Sequence, residues 1–438
     1  MTISDHFPAT HDAIIVGGGV AGASLAIVLR RAGGSVAVIG REAPLRGRVR
    51  GEGIHPWGYR EAKTLGLDEV LTEAGANPLY FWQRYDERQP VEPTRWDDDE
   101  TNPLPELGVS HVRLQNATLA AAEATGATIV RPASARGIRR DDDGVWHVTV
   151  AQGSDEPFEL AGKLLVGADG RNSAVRGWLG IHAAHDREHH RFGGALLDGV
   201  ALPEDAVHAI YFPGGTTYIM PQGEGRARVY LGAERAFIEP LANDHSGEAF
   251  LAFLRERFPE GALDRATLAG PLAFFANGDI VPDRIGADGA VLIGDAAGAN
   301  DPSVGQGLSL TYRDVHELSD LLLGRDDPQA SIEKYARRRA AYHAIAREHA
   351  TWMGVVVMET GDEADALRAG MRRAKEADPT QGGFAFIYTR GPFDLDVSEA
   401  GRDRFFGMCN PPPPPPPPPP RGGGRGGWWS LPPRSWGG

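Results

Sequence analysis

Cysteine is all but missing from this chain of 438 residues, in which Cys409 stands alone. That excludes a disulfide framework and any thiolate metal site, and it makes the reducing cytoplasm the expected location. Lysine is nearly as scarce, found only at Lys63, Lys163, Lys334 and Lys375, so arginine carries most of the positive charge. The formal net charge is −14, and with no basic cluster in the body of the chain a nucleic-acid partner is not expected. No apolar run approaches the ~18 residues of a membrane span. The N-terminal stretch has no basic region leading into an apolar core, so neither export nor anchoring is expected. No Ser-His-Asp arrangement and no metal-ligand cluster is visible, so no metal is expected and the hard chemistry must come from an organic cofactor.

Glycine is what the chain has in quantity, 57 residues of it. "DAIIVGGGVAGASLAIVLRRAGGSVAVIGRE" reads as a strand at 13–16, a glycine turn, a helix at 21–32 and a second strand at 36–39. Gly17, Gly19 and Gly22 fit G-x-G-x-x-G in the context that gives the motif meaning. Gly17 permits the tight turn, Gly19 lets the backbone approach a pyrophosphate, and Gly22 lets helix and strand pack closely. The pyrophosphate would lie on the helix N-terminus, where unpaired N–H groups favour an anion. The acidic residue that usually ends the second strand is replaced by Gly40, leaving Arg41 by stacking or Glu42 by hydrogen bonding to take the adenosine end.

Two further strand-to-glycine junctions follow. In "KLLVGADGRNSAVRGWLGI", Asp169 and Gly170 come directly after the run 164–166, with Ser173 and Arg176 on a helix-like turn beyond. In "GDAAGANDPSVGQG", Asp295 follows the apolar run "AVLI", and a helix begins near Leu308. Between these motifs, "RGRVRGEGIHPWG" spaces Arg46, Arg48 and Arg50 by two and brings Glu52, His55 and Trp57 together. "SHVRLQNATLAAAEATGATIV" reads as a helix with Leu114, Leu119 and Ala122 inward and Arg113 in its first turn.

These three junctions, in this order, make residues from about 11 to 400 resemble the flavoprotein monooxygenases of the para-hydroxybenzoate hydroxylase type, the single-component aromatic hydroxylases related to flavin halogenases. The resemblance implies an α/β fold: a Rossmann-like FAD-binding domain, an interleaved substrate domain on an antiparallel sheet, and a helical C-terminal region. The expected division is 1–75, 107–180 and 278–330 for FAD, 76–106 and 181–277 for substrate, and 331–410 for the helical region. By the same resemblance, Gly17, Gly19 and Gly22 hold the FAD pyrophosphate and Asp295 the ribityl chain. Arg50 and Arg113 line the phosphates, and Asp169 serves FAD and the transient reductant NAD(P)H. Pro302 lies against the isoalloxazine, with the backbone of Gly305, Gln306 and Gly307 facing its N1 and O2. The implied reaction is NAD(P)H-dependent oxygenation by molecular oxygen of an aromatic or polyketide-like small molecule, through a flavin C4a-hydroperoxide, by a monomer or homodimer. Halogenation, flavin reduction and a non-catalytic FAD-binding role are the alternatives.

Within the substrate region, "GTTYIMPQGEGRARVYLGAER" reads as two strands about a turn, with Tyr218 and Met220 on one face. Together with Trp57 they are the pocket candidates, and His55 is the candidate general base. Thr216 and Tyr218 stand where tryptophan-type halogenases carry W-x-W, and no lysine is expected near the oxidant, which favours oxygen insertion. Residues 330–405 read as mostly helical. The tail from 411 to 438, a decaproline run followed by glycine-rich sequence, cannot build a core and is read as a non-functional extension.

Overall fold

The computed structural model describes residues 10–45, 47–324, 327–377 and 384–408, with the side chains of 287 and 384–386 excepted. The tail reading, Arg46 and Cys409 therefore lie outside the described residues.

The apolar run at the start of the chain forms the strand His11–Val16, buried at nearly every position. It lies between the parallel strands Val36–Ile39 and Phe158–Gly167. Thr128–Val130 extends one side and Ala290–Leu292 the other, also in parallel. Strands covered on both faces read as continuous hydrophobic runs, as these do. Every glycine junction seen in the sequence consequently leaves the carboxyl end of a parallel strand, where open α/β sheets bind ligands. The helix Val20–Arg31 follows the first strand, buries Ala23, Leu25, Ala26 and Ile27, and packs against the helices His111–Ala124 and Gly307–Leu323. Two antiparallel strands, Ser134–Arg140 and Trp146–Ala151, continue the sheet along the first half of Phe158–Gly167.

A second sheet runs in the order Arg191–Asp198, Ala227–Ala233, Gly215–Pro221, Ala206–Phe212 and Phe81–Asp86. Its pairs are antiparallel except for the last, which is parallel. Alternation along its strands separates two jobs. Ile219, Val229 and Leu231 pack with Phe250, Leu254 and Phe258 in a closed core, while Tyr218, Met220 and Tyr230 turn to a cavity. A small sheet, Gly53–Ile54 with Glu106–Gly108 and Asn77–Leu79, connects the two layers. The helices Pro328–Val357, Asp362–Ala377, Phe384–Arg390 and Glu399–Phe405 complete the described chain, as the helical reading of this region anticipates.

Candidate functional site

A cavity of about 980 Å³ lies between the two sheets. Its floor is the carboxyl edge of the parallel strands. Gly17 sits at φ +124°, where a Cβ would meet the Ala168 carbonyl oxygen at 2.1 Å, and a Cβ on Gly22 would fall 2.1 Å from the Gly17 oxygen. At these two positions chain packs directly on chain, which only glycine permits. Gly19 differs. It caps the helix Val20–Arg31 with no side-chain hydrogen bond and lines the cavity, and a Cβ placed on it would meet nothing nearer than Gln115 Nε2 at 3.9 Å. The helix thus presents a bare N-terminus to the cavity, a ready anion site.

Asp295 lines the same cavity, and its carboxylate has no hydrogen bond to any described residue. Enclosure raises its pKa against the attraction of Arg171, Arg50 and Arg339. Pro302 and Gly305 also line the cavity, and Gly307, with open space around it, starts the helix Gly307–Leu323 there. Arg50 lines the cavity too, near enough to Asp295 to attract its charge. Two bare helix starts, a glycine cradle and a free carboxylate fit the pyrophosphate, ribityl chain and ring of FAD.

Several expected contacts are corrected by the structure. Arg113 is exposed and lines a separate shallow depression with Glu73 and Gly75. The helix face that reaches the cavity carries His111 and Gln115, four residues apart, and Gln115 donates to the Gly18 carbonyl at 3.3 Å. Asp169 does not line the cavity. Its carboxylate instead accepts from Ser173 and from the amides of Ala174 and Val175, folding the turn into the helix Ala174–Trp178. Arg41 and Glu42 are likewise absent from the lining, and Glu42 pairs with Arg48. Beside Gly40 stands Arg131, which no motif indicated. A Cβ on Gly40 would lie 3.4 Å from the Cβ of Arg131, whose buried Nη1 has no partner. Its one sequence signal is its place directly after a parallel strand.

Trp57 is not a pocket residue. It is completely buried with Leu310, Tyr342 and Ala346, and its indole N–H donates to Gln306 Oε1 at 3.0 Å. The Gln306 side chain is therefore committed to the core beneath the helix start. Lys375 was not expected at the oxidant's site, yet it lines the cavity from the helix Asp362–Ala377.

The upper part of the cavity is aromatic. Tyr218 packs 5.4 Å from Trp82 and 6.4 Å from Tyr211, with Trp96 and Tyr388 close by. Met220 completes this wall and reaches Gly53, where a Cβ would touch its Cε at 2.7 Å. Burial pushes the Tyr211 phenol up to about 12 and that of Tyr218 well above its ordinary value. Both stay neutral donors at physiological pH. His55 lines the cavity, where Nε2 meets the Val304 carbonyl at 3.0 Å and Nδ1 lies 3.3 Å from Glu106 Oε1. A general base needs a lone pair turned to the substrate, and here Nδ1 is turned to Glu106.

A parallel sheet with three glycine junctions at one edge, roofed by a second sheet, defines a flavin-dependent oxidoreductase. The family model of the FAD binding domain matches residues 10–350, and the chain belongs to this FAD-binding monooxygenase family. Among its relatives, digeranylgeranylglycerophospholipid reductase 1 of Methanothermobacter thermautotrophicus is 25% identical, covering 77% of this chain and 82% of the relative. Rifampicin monooxygenase of Streptomyces venezuelae is 28% identical over 77% of this chain and 69% of its own. The crystal structure of aklavinone-11 hydroxylase with FAD and aklavinone shares the fold. Its TM-score is 0.67 at 21% identity, covering 80% of this chain and 70% of that one. Flavin-dependent halogenases stand among the solved structures of the same fold.

Proposed function

We propose that this protein is an NAD(P)H-consuming monooxygenase that hydroxylates an aromatic or polyketide-like small molecule. The observation that supports this most is a single cavity that joins a dinucleotide cradle to a chamber walled by Trp82, Trp96, Tyr211, Tyr218 and Tyr388. Such walls match flat, apolar ligands with a few polar groups.

Gly19 and the two helix starts bind the cofactor's anionic parts, Asp295 takes its ribityl hydroxyls, and Pro302 with Gly305 supports the ring. Bound FAD supplies the acceptance of hydride and the activation of oxygen. The aromatic walls orient the substrate by ring contacts and exclude water from the reacting face. The neutral phenols of Tyr211 and Tyr218 donate hydrogen bonds to substrate oxygen atoms. Halogen transfer is the second reading, favoured by Lys375 in the lining. Against it, Thr216 and Tyr218 occupy the positions where tryptophan-type halogenases have tryptophans. Purified FAD-loaded enzyme with NAD(P)H and a panel of polycyclic phenols tests the reading. Substrate-stimulated NAD(P)H oxidation with a hydroxylated product supports it, and consumption unaffected by every panel member counts against it.

A further inference from the structure

The cross-strand register brings together two residues that stand far apart in sequence. Gly53 pairs with Gly108 and Ile54 with Leu107, which places His55 beside Glu106. Both are buried, His55 at 5% exposure and Glu106 at zero. His55 occupies the N-cap position of the helix Pro56–Thr64, but its side chain does not cap that helix. The ring instead bridges Glu106 on one side and the Val304 carbonyl on the other. A carbonyl can only accept, so Nε2 carries a proton, while Nδ1 lies 3.3 Å from a Glu106 carboxylate whose two oxygens make no hydrogen bond of their own. The ring also leaves no slack against the loop. A Cβ on Gly305, which sits at φ +66°, would lie 3.0 Å from Nε2. That loop leads within two residues to the helix start at Gly307.

We propose that Glu106 is a positioning residue which, through His55, holds a positive charge against the Val304–Gly305 loop and so favours the reduced, negatively charged form of the cofactor bound beside it. Burial alone would drive the charge off His55, but the attraction of Glu106 outweighs it and raises the imidazole pKa. Other titratable groups face the pair. Glu52 is bound to Arg228, Tyr230 and Tyr388 are held neutral by burial, and burial lowers His349 to about 3. Oriented charge of this kind acts most strongly where water is excluded.

The proposal rests on FAD filling the cradle and not on oxygen insertion. Its test is the midpoint potential of the bound FAD in the full-length enzyme, measured by dye equilibration across pH. Glu106→Gln removes the carboxylate that keeps His55 charged. At fixed reductant poise the ratio of reduced to oxidised flavin falls about tenfold, which is about 30 mV for a two-electron couple. Glu106→Asp keeps the charge and stays near the wild-type potential. His55→Gln still donates to Val304 but leaves the Glu106 carboxylate without its counter-charge, so it falls at least as far as Glu106→Gln, and the double variant, neutral at both positions, returns to the Glu106→Gln value. The wild-type advantage over Glu106→Gln is present where His55 is charged in the wild type and neutral in the variant, and it is lost or reversed as pH rises through the wild-type His55 pKa, where neutral His55 leaves the Glu106 charge uncompensated. Should Glu106→Gln fail to hold FAD, His55→Gln alone decides. A wild-type potential in every variant that retains FAD overturns the proposal, as do shifts that add in the double variant. A protein that takes up no FAD fails the cofactor assignment itself, and the proposal falls with it.

Discussion

Glu52 and Arg228 meet at 2.7 Å with side-chain exposures of 3% and 6%, and this pair fastens the cavity-lining segment from Arg48 to Gly53 onto the second sheet. Gln222 shares the carboxylate, and the Tyr230 hydroxyl donates to the Arg50 carbonyl while accepting the Glu52 amide. Removing one member of a buried pair leaves the other charge without compensation. Arg228→Met is expected to destabilise the fold by about 3 kcal/mol, read by urea unfolding, and to loosen FAD. Unchanged unfolding would show that Gln222 and the backbone amides satisfy Glu52 alone.

The three glycines of the first motif separate by function. Gly17→Ala places a methyl 2.1 Å from the Ala168 oxygen and should yield little soluble protein. Gly19→Ala meets nothing nearer than 3.9 Å, so its fold should be intact while FAD affinity falls about tenfold or more through the lost close approach. Circular dichroism and flavin titration distinguish the two. Equal FAD affinity in Gly19→Ala and wild type would remove the pyrophosphate from this helix start.

Gln115 and Arg113 offer a matched pair on one helix. Gln115→Ala should weaken FAD binding severalfold, and Arg113→Ala should leave it unchanged, because only the first faces the cavity. The reverse order would place the phosphates on the outer face.

This contrast shows what was legible in the sequence. The glycine junctions were readable because tight turns and close approach are demands on the backbone at single positions, and Gly17, Gly22 and Gly305 meet them locally. Arg113 and Trp57 fall elsewhere than expected because proximity along the chain does not say which helix face a side chain takes. On the helix His111–Ala124 a difference of two residues moves a side chain from cavity to solvent. The Glu106 partnership with His55 was invisible, since it depends on the register of two paired strands that stand far apart in sequence. Arg131 escaped for a similar reason: its strand was recognisable, but not its neighbour Gly40.

Asp295 carries a pH signature. Enclosure raises its pKa, so the ionised form is penalised in the apoprotein. The penalty is absent at acid pH, where the carboxyl is protonated in both folded and unfolded chains, and grows as pH rises through the folded pKa. Asp295→Asn should therefore raise the apoprotein Tm at neutral pH, with the gain vanishing toward about pH 3 to 4, while weakening FAD about tenfold through the lost charged acceptor. A variant with lower Tm at neutral pH and intact FAD affinity would contradict both assignments.

The chemistry is decided by where the new atom in the product comes from. FAD-loaded enzyme is supplied with NAD(P)H, an accepted aromatic substrate, bromide and isotopically labelled dioxygen, and the product is read by mass spectrometry. The account predicts a gain of one labelled oxygen, independent of halide and retained in Lys375→Ala. A brominated product that requires bromide and disappears in Lys375→Ala would contradict it.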